Sequence, residues 1–149
     1  MKVTVRSPCR LHLSLIDLNG SLGRIDGSVG ITLANPHVEV TAEKSSKQEV
    51  DAGVRTNEIR QLISKISTKY GITKKIKLNA RRQIPLHAGL GSTTQLYLSV
   101  ARAMLGLNNI KANVRELAVL TGRGGTSGIG VHAFEHGGFL VDCGHSYGK

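Results

Sequence analysis

The sequence predicts an α+β domain built as a two-layer sandwich, a sheet with helices on one side. Three observations predict it. Short alternating segments, some joined as hairpins, mix with longer segments of helical period, and nothing repeats in the strict strand–helix order of a doubly wound sheet. The helical segments each carry one apolar stripe, which needs a sheet to bury it. The length, 149 residues, suits one domain with a real core.

Val3 to Arg6 alternates and reads as a strand that Pro8 interrupts. Leu11 to Ile16 alternates cleanly as a second strand. Asp17 to Gly30 is rich in Gly, Asn, Ser and Asp and is expected to be a loop, with Arg24 and Asp26 inside it. Val29 to Leu33 and His37 to Ala42 read as a hairpin with Asn35-Pro36 in its turn. Glu43 to Gln48 is a polar connection. Asn57 to Tyr70 is a helix with Ile59, Leu62, Ile63 and Ile66 on one face, ended by Gly71. Lys75 to Ala80 is a strand. A glycine-rich turn then opens a helix whose buried face is Leu96, Val100, Ala103, Met104 and Leu107. Asn113 and Glu116 form a capping box for Val114 to Leu120. Val131 to His136 reads as a short helix and Gly138 to Cys143 as a strand.

Lys and Arg total 20 against 10 Asp and Glu, a formal charge of +10, which favours anionic partners. Aromatic residues are few and Trp is absent. Base-stacking RNA binders need such residues, so phosphorylated small molecules rank above nucleic acid. Cys9 and Cys143 are far apart and form no Cys-x-x-Cys pair, against a structural zinc site. No apolar run is long enough to span a membrane and no signal peptide opens the chain, so a cytoplasmic protein with reduced thiols is expected.

The stretch the chain is organised around is Pro85 to Gln95. Gly89 and Gly91 let the backbone turn tightly and approach a ligand. Leu90 lies between them, and Ser92, Thr93 and Thr94 place hydroxyls and free N–H groups at a helix start. The helix dipole then favours a phosphate. The alternative is a plain helix cap. It is neither a Walker A loop nor a dinucleotide fingerprint. Thr121 to Gly130 is a second glycine-rich run, holding Arg123, Gly125 and Ser127. His132-Ala-Phe-Glu135-His136 spells the zinc-protease pattern in reverse. Its shortness, its closing Gly137-Gly138 and the lack of an obvious third zinc ligand weigh against a metal there.

Pro-x-x-x-Gly-Leu-Gly-Ser-Thr-Thr resembles the phosphate-binding motif of the GHMP superfamily (galactokinase, homoserine kinase, mevalonate kinase and relatives). Its N-terminal domain is a sandwich also found in ribosomal proteins. Mevalonate-type kinases carry Ser-Gly-x-Asp where this chain has Ser127-Gly-Ile-Gly130, and several relatives have Ala-Pro-Gly-Lys where Ser7-Pro-Cys-Arg10 stands. Both members of the kinase's Lys–Asp pair are therefore altered, Arg10 being a clamp for anions but a poor proton shuttle. One branch fits these departures, the archaeal β-ribofuranosylaminobenzene 5′-phosphate synthases of methanopterin biosynthesis. Their strings are similar to Arg10-Leu-His-Leu-Ser-Leu-Ile-Asp-Leu-Asn-Gly20, to Gly122–Gly130 and to His132–Phe139.

That resemblance implies a transferase joining phosphoribosyl pyrophosphate to an aminobenzoate or hydroxybenzoate, with loss of CO2 and pyrophosphate. It implies Gly89, Leu90, Gly91, Ser92, Thr93, Thr94, Gly125 and Ser127 as phosphate-binding residues. Arg10, Arg24, Arg123 and His132 are the catalytic candidates, with Glu135 also within reach. Arg10 and Arg24 are equally readable as solvated or structural arginines. Mg²⁺ is implied, with Asp17 and Asp26 to hold it or a ribose hydroxyl unless they merely cap turns; His12 reads as structural. ATP enters only if the chain is instead a GHMP small-molecule kinase. A non-catalytic basic domain binding RNA or phosphate is the remaining alternative. The superfamily has two domains, so the chain is expected to be a GHMP-type N-terminal domain spanning 1–149. The C-terminal domain is then a missing partner, and self-association through an uncovered apolar face is expected, with no membrane partner.

Overall fold

The computed structural model describes residues 1–16, 19–123 and 128–146. The order of elements is β1 (Lys2–Ile16), β2 (Arg24–Ile25), β3 (Gly27–Lys44), β4 (Glu49–Asp51), α1 (Thr56–Tyr70), β5 (Ile76–Arg82), α2 (Ser92–Leu107), α3 (Val114–Leu120), α4 (Gly128–Glu135), β6 (Phe139–Asp142) and β7 (His145–Ser146). The main sheet runs β1-β3-β5-β4, and β6 pairs with β3 as well. All these pairs are antiparallel except β4 with β5. β2 and β7 make a separate two-stranded ribbon. The expected α+β sandwich is the observed class.

Two expected strand breaks are corrected. Val3–Arg6 and Leu11–Ile16 belong to one strand, β1, and Val29–Leu33 and His37–Ala42 to one strand, β3. Asn35-Pro36 is not a turn. It lies in a bulge, because Pro8 pairs with His37 while Cys9 pairs with Leu33, leaving Ala34 to Pro36 out of register. Proline lacks the N–H a ladder requires, so both prolines fall where the ladder is interrupted. The expected loop at 17–30 also gives way to β2 and the start of β3. β4 had no sequence signal of its own, being only three residues long.

The core lies between sheet and helices. Val38, Val40 and Ala42 of β3, with Ile76, Leu78 and Ala80 of β5, are buried, while Lys77, Asn79 and Arg81 alternate outward. α1 buries Ile59, Leu62, Ile63 and Ile66 and stops at Gly71, which is left-handed (φ 61°). α2 is the central helix, buried around most of its circumference, with Leu96, Val100, Ala103, Met104 and Leu107 all inside. The capping box of α3 forms as expected. α4 begins three residues before the expected Val131. It packs flush on β3: a β-carbon at Gly30 would lie 2.5 Å from Ile129 Cγ2.

The lower half of the sheet is covered on one side only. Leu11 pairs with Ile31, and Ile31 with Phe139; Val29 pairs with Val141. Opposed residues share a face, so these side chains line one outer row. Leu11, Phe139 and Val141 are exposed there, as is Leu13 in the adjoining bulge.

Candidate anion site at the start of the central helix

The loop into α2 turns on three left-handed residues, His87 (φ 58°), Gly89 (φ 70°) and Gly91 (φ 81°). Gly91 is the N-cap of α2 and offers no side-chain cap. The first intrahelical bond runs from the Gln95 amide to the Gly91 carbonyl at 3.1 Å. The amides of Ser92, Thr93 and Thr94 precede it and have no acceptor within the helix, which leaves the positive end of α2 open.

Two arginines from distant parts of the chain close on this end. Arg10 is fastened to the loop twice: its backbone amide donates to Leu90 O at 3.1 Å, and its Nη1 donates to Gly89 O at 2.7 Å. Its stem crosses Gly91, where a β-carbon would stand 3.3 Å from Arg10 Cγ. Arg10 Nε is buried and has no hydrogen-bond partner among the described residues. Arg123 follows α3, its amide bonded to Ala118 O at 2.7 Å. Its Nε donates to Thr94 Oγ1 at 3.1 Å. Burial, and secondarily the charge of Arg123, hold the Arg10 guanidinium below its usual pKa. Among the described residues no carboxylate pairs with either arginine. Two cations held together at an open helix N-terminus are an arrangement that can accept a multiply charged anion.

Thr93 is held from the other side. Arg55 Nη2 donates to Thr93 Oγ1 at 3.3 Å, and Arg55 itself is buried. Glu58 neutralises it through a two-point contact, Nε to Oε2 at 2.7 Å and Nη2 to Oε1 at 2.6 Å. The Tyr97 hydroxyl donates to the same Glu58 oxygen, and the Arg55 guanidinium lies over the Tyr97 ring. The Arg55 hydrogen bonds pull the Glu58 carboxyl below its ordinary pKa. Sequence reasoning missed this cluster. The i,i+3 spacing of Arg55 and Glu58 was its one legible sign.

The other expected residues are placed elsewhere. Arg24 Nε and Nη2 donate to the carbonyls of Cys143 and Gly144 at 2.7 and 2.6 Å, fastening the β2–β7 ribbon. Asp26 is exposed, with Oδ2 3.6 Å from His145 Nδ1. His132 is exposed on α4 and lines a cavity of about 400 Å³ between α3 and α4. Asp17, Gly125 and Ser127 lie outside the described residues. As a magnesium site the described part of the expected pair does not fit: it supplies one exposed carboxylate already facing an imidazole, and a Mg²⁺ site normally needs more oxygen donors. Asp142, which the sequence reading did not weigh, sits against the first residue of α4: a β-carbon on Gly128 would lie 1.6 Å from its Oδ2.

Fold and site together define a class. Over residues 57–138 the chain matches the family described as GHMP kinases N terminal domain, and it belongs to that family. The relatives it matches are more specific. It is 44% identical over 155 residues to the β-ribofuranosylphenol 5′-phosphate synthase of Methanothermobacter thermautotrophicus, covering 98% of this chain and 47% of that protein. It is 44% identical over 142 residues to the Archaeoglobus fulgidus protein of the same name, covering 95% and 45%. The chain thus spans just under half the length of these curated relatives. Among solved structures it resembles Streptococcus pneumoniae phosphomevalonate kinase (TM-score 0.71, 15% identity, 95% of this chain and 48% of that one). It also resembles Methanococcus jannaschii mevalonate kinase (TM-score 0.68, 15% identity, 95% and 53%); at these identities the likeness is one of fold.

Proposed function

We propose that this chain is the diphosphate-binding half of a synthase that joins phosphoribosyl pyrophosphate to a hydroxybenzoate or aminobenzoate. In that reaction the ring carbon bearing the carboxylate attacks C1 of the ribose. The C1–O bond breaks, its electron pair leaves with pyrophosphate, and CO2 is then lost from the same ring carbon, restoring aromaticity. The observation that carries the reading is the Arg10–Arg123 pair at the open end of α2. The Ser92–Thr94 amides and the two guanidiniums would hold the leaving diphosphate and stabilise the charge it gains. The synthase activity for which the curated relatives are named points the same way.

Mevalonate-type kinases use an Asp as base toward the hydroxyl they phosphorylate, although other GHMP kinases work mainly by positioning and electrostatics. The position that mevalonate-type kinases fill with Asp is Gly130, which is buried and whose carbonyl accepts from Gln95 Nε2 at 2.7 Å. No such base is required by the synthase chemistry. Magnesium enters this proposal as a counterion of the substrate diphosphate, and no step is routed through it. The outer apolar row of Leu11, Phe139 and Val141 would be covered by the other half of the complete protein or, in this chain alone, by a second copy, which light scattering would detect. A cytoplasmic location belongs to the same proposal; no described helix is long and apolar enough to cross a membrane.

The test is incubation of the full-length protein carrying this sequence with phosphoribosyl pyrophosphate, Mg²⁺ and either benzoate, without ATP. Release of both CO2 and pyrophosphate, abolished by bulky residues at Gly91 and Ser92, supports the reading. No release, with ATP consumed on a small alcohol instead, overturns it in favour of a kinase.

A further inference from the structure

The last turn of α4 carries a second cluster that the diphosphate site does not use. His132, Glu135 and His136 are spaced i, i+3 and i+4, which puts them on one face of a helix. The turn stays helical through His136, whose amide donates to His132 O at 2.9 Å. Gly137 (φ 66°) and Gly138 (φ 75°) then end it. The two imidazole rings are nearly parallel, 15° apart, with centroids 6.1 Å from each other. His136 Nε2 lies 3.2 Å from Glu135 Oε2. One donor atom from each of the three residues lies within 4.8 Å of the other two.

We propose that this turn binds a divalent transition-metal ion of the zinc class through His132, Glu135 and His136. Two imidazoles and a carboxylate are a nitrogen-rich set that suits zinc, cobalt, nickel or copper and not magnesium. Tetrahedral ligands around zinc stand about 3.4 Å apart, given Zn–N and Zn–O bonds of about 2.1 Å. The donors lie within 4.8 Å of one another, so no pair needs to close by more than about 1.4 Å, and the side chains are exposed and free to rotate. The protease pattern would assign Glu135 as a base and look for a third ligand elsewhere; here the glutamate itself is within ligand reach. A simple His136–Glu135 ion pair at the surface would contribute little and leaves His132 unexplained. Three protein ligands leave a fourth position for water or an anion. His132 and Glu135 both line the cavity between α3 and α4, where Arg115 supplies positive charge.

The test is zinc titration of the chelator-treated chain by calorimetry, with Co²⁺ absorption as a second readout. One ion per chain is expected, with affinity reduced about tenfold or more in both His132→Asn and His136→Gln, and unchanged in His145→Gln and Cys143→Ser. All four residues are exposed, and far-ultraviolet circular dichroism checks that each variant is folded. Absence of binding, or binding lost with His145 or Cys143 and kept without His132 and His136, overturns the proposal. Neither result bears on the diphosphate site, which shares none of these residues.

Discussion

The side chain of Arg10 lies across Gly91, its Cγ, Nε and Cζ all 3.3–3.4 Å from where a β-carbon on that glycine would stand. One residue shapes the path of the other. Gly91 is also left-handed, at φ 81°, so Gly91→Ala suffers twice. The backbone alone costs about 1 kcal/mol, and the methyl group displaces the guanidinium from the loop. Calorimetry with pyrophosphate should show affinity falling about tenfold or more, beyond what the modest loss of melting temperature accounts for.

The charges of Arg10 and Arg123 oppose each other, and under the proposed reading a bound anion would relieve that repulsion. Arg10→Met should leave the melting temperature unchanged or raised while weakening pyrophosphate binding by about 1–3 kcal/mol. Arg123→Met should behave alike, and the double variant should show a coupling of the two in binding. Wild-type affinity should fall steeply with salt. A large loss of stability in Arg10→Met would mean that its bond to Gly89 is structural and that the pair is not a receptor.

Glu58 balances the buried Arg55. Its folded pKa is depressed, first by the Arg55 hydrogen bonds. Its stabilising contribution is therefore full above the unfolded carboxylate value of about 4.3 and is lost as pH falls through the lower folded value. Glu58→Gln should cost about 1–3 kcal/mol at pH 7, moderated by the partial exposure of the carboxylate, and should flatten the acid limb of the melting curve. Equal melting temperatures for wild type and variant at pH 7 would sink the assignment.

Gly30 and Ile129 meet where α4 lies on β3. Gly30→Ala should cost about 1–3 kcal/mol by overpacking. Ile129→Ala in the same chain should recover part of that loss, because the clash with Ile129 Cγ2 goes, while the 2.9 Å approach to Leu11 O remains. Chemical denaturation of the two single variants and the double variant measures it. Additive losses would contradict the contact.

The parts of the fold governed by local rules were legible in the chain. α1 ended at Gly71, α3 took its capping box, and β5 alternated as written. The prolines misled, because a bulge and a turn both accommodate Pro8 and Asn35-Pro36, and only cross-strand register tells them apart. The clean alternation of Leu11 to Leu15 predicted a strand correctly, but alternation does not say whether the apolar face is covered. At the site, the glycines and hydroxyls around Gly91 were readable because they are contiguous. The meeting of Arg10 with Arg123 was not, since more than a hundred residues separate them. Arg24 shows the converse: a lone arginine in a polar segment carries no mark that its partners are the carbonyls of Cys143 and Gly144.

β3 takes β5 along one stretch of its edge and β6 along another. On the ribosome those two partners emerge at very different times. The stretch from Ser28 to Ile31 waits while about a hundred further residues are made, on the order of ten seconds at ordinary elongation rates. Throughout that interval the nascent β1–β3 hairpin presents an unpaired, partly apolar edge. A strand edge left unpaired for that long is open to slow association with another growing chain before β6 arrives to close it.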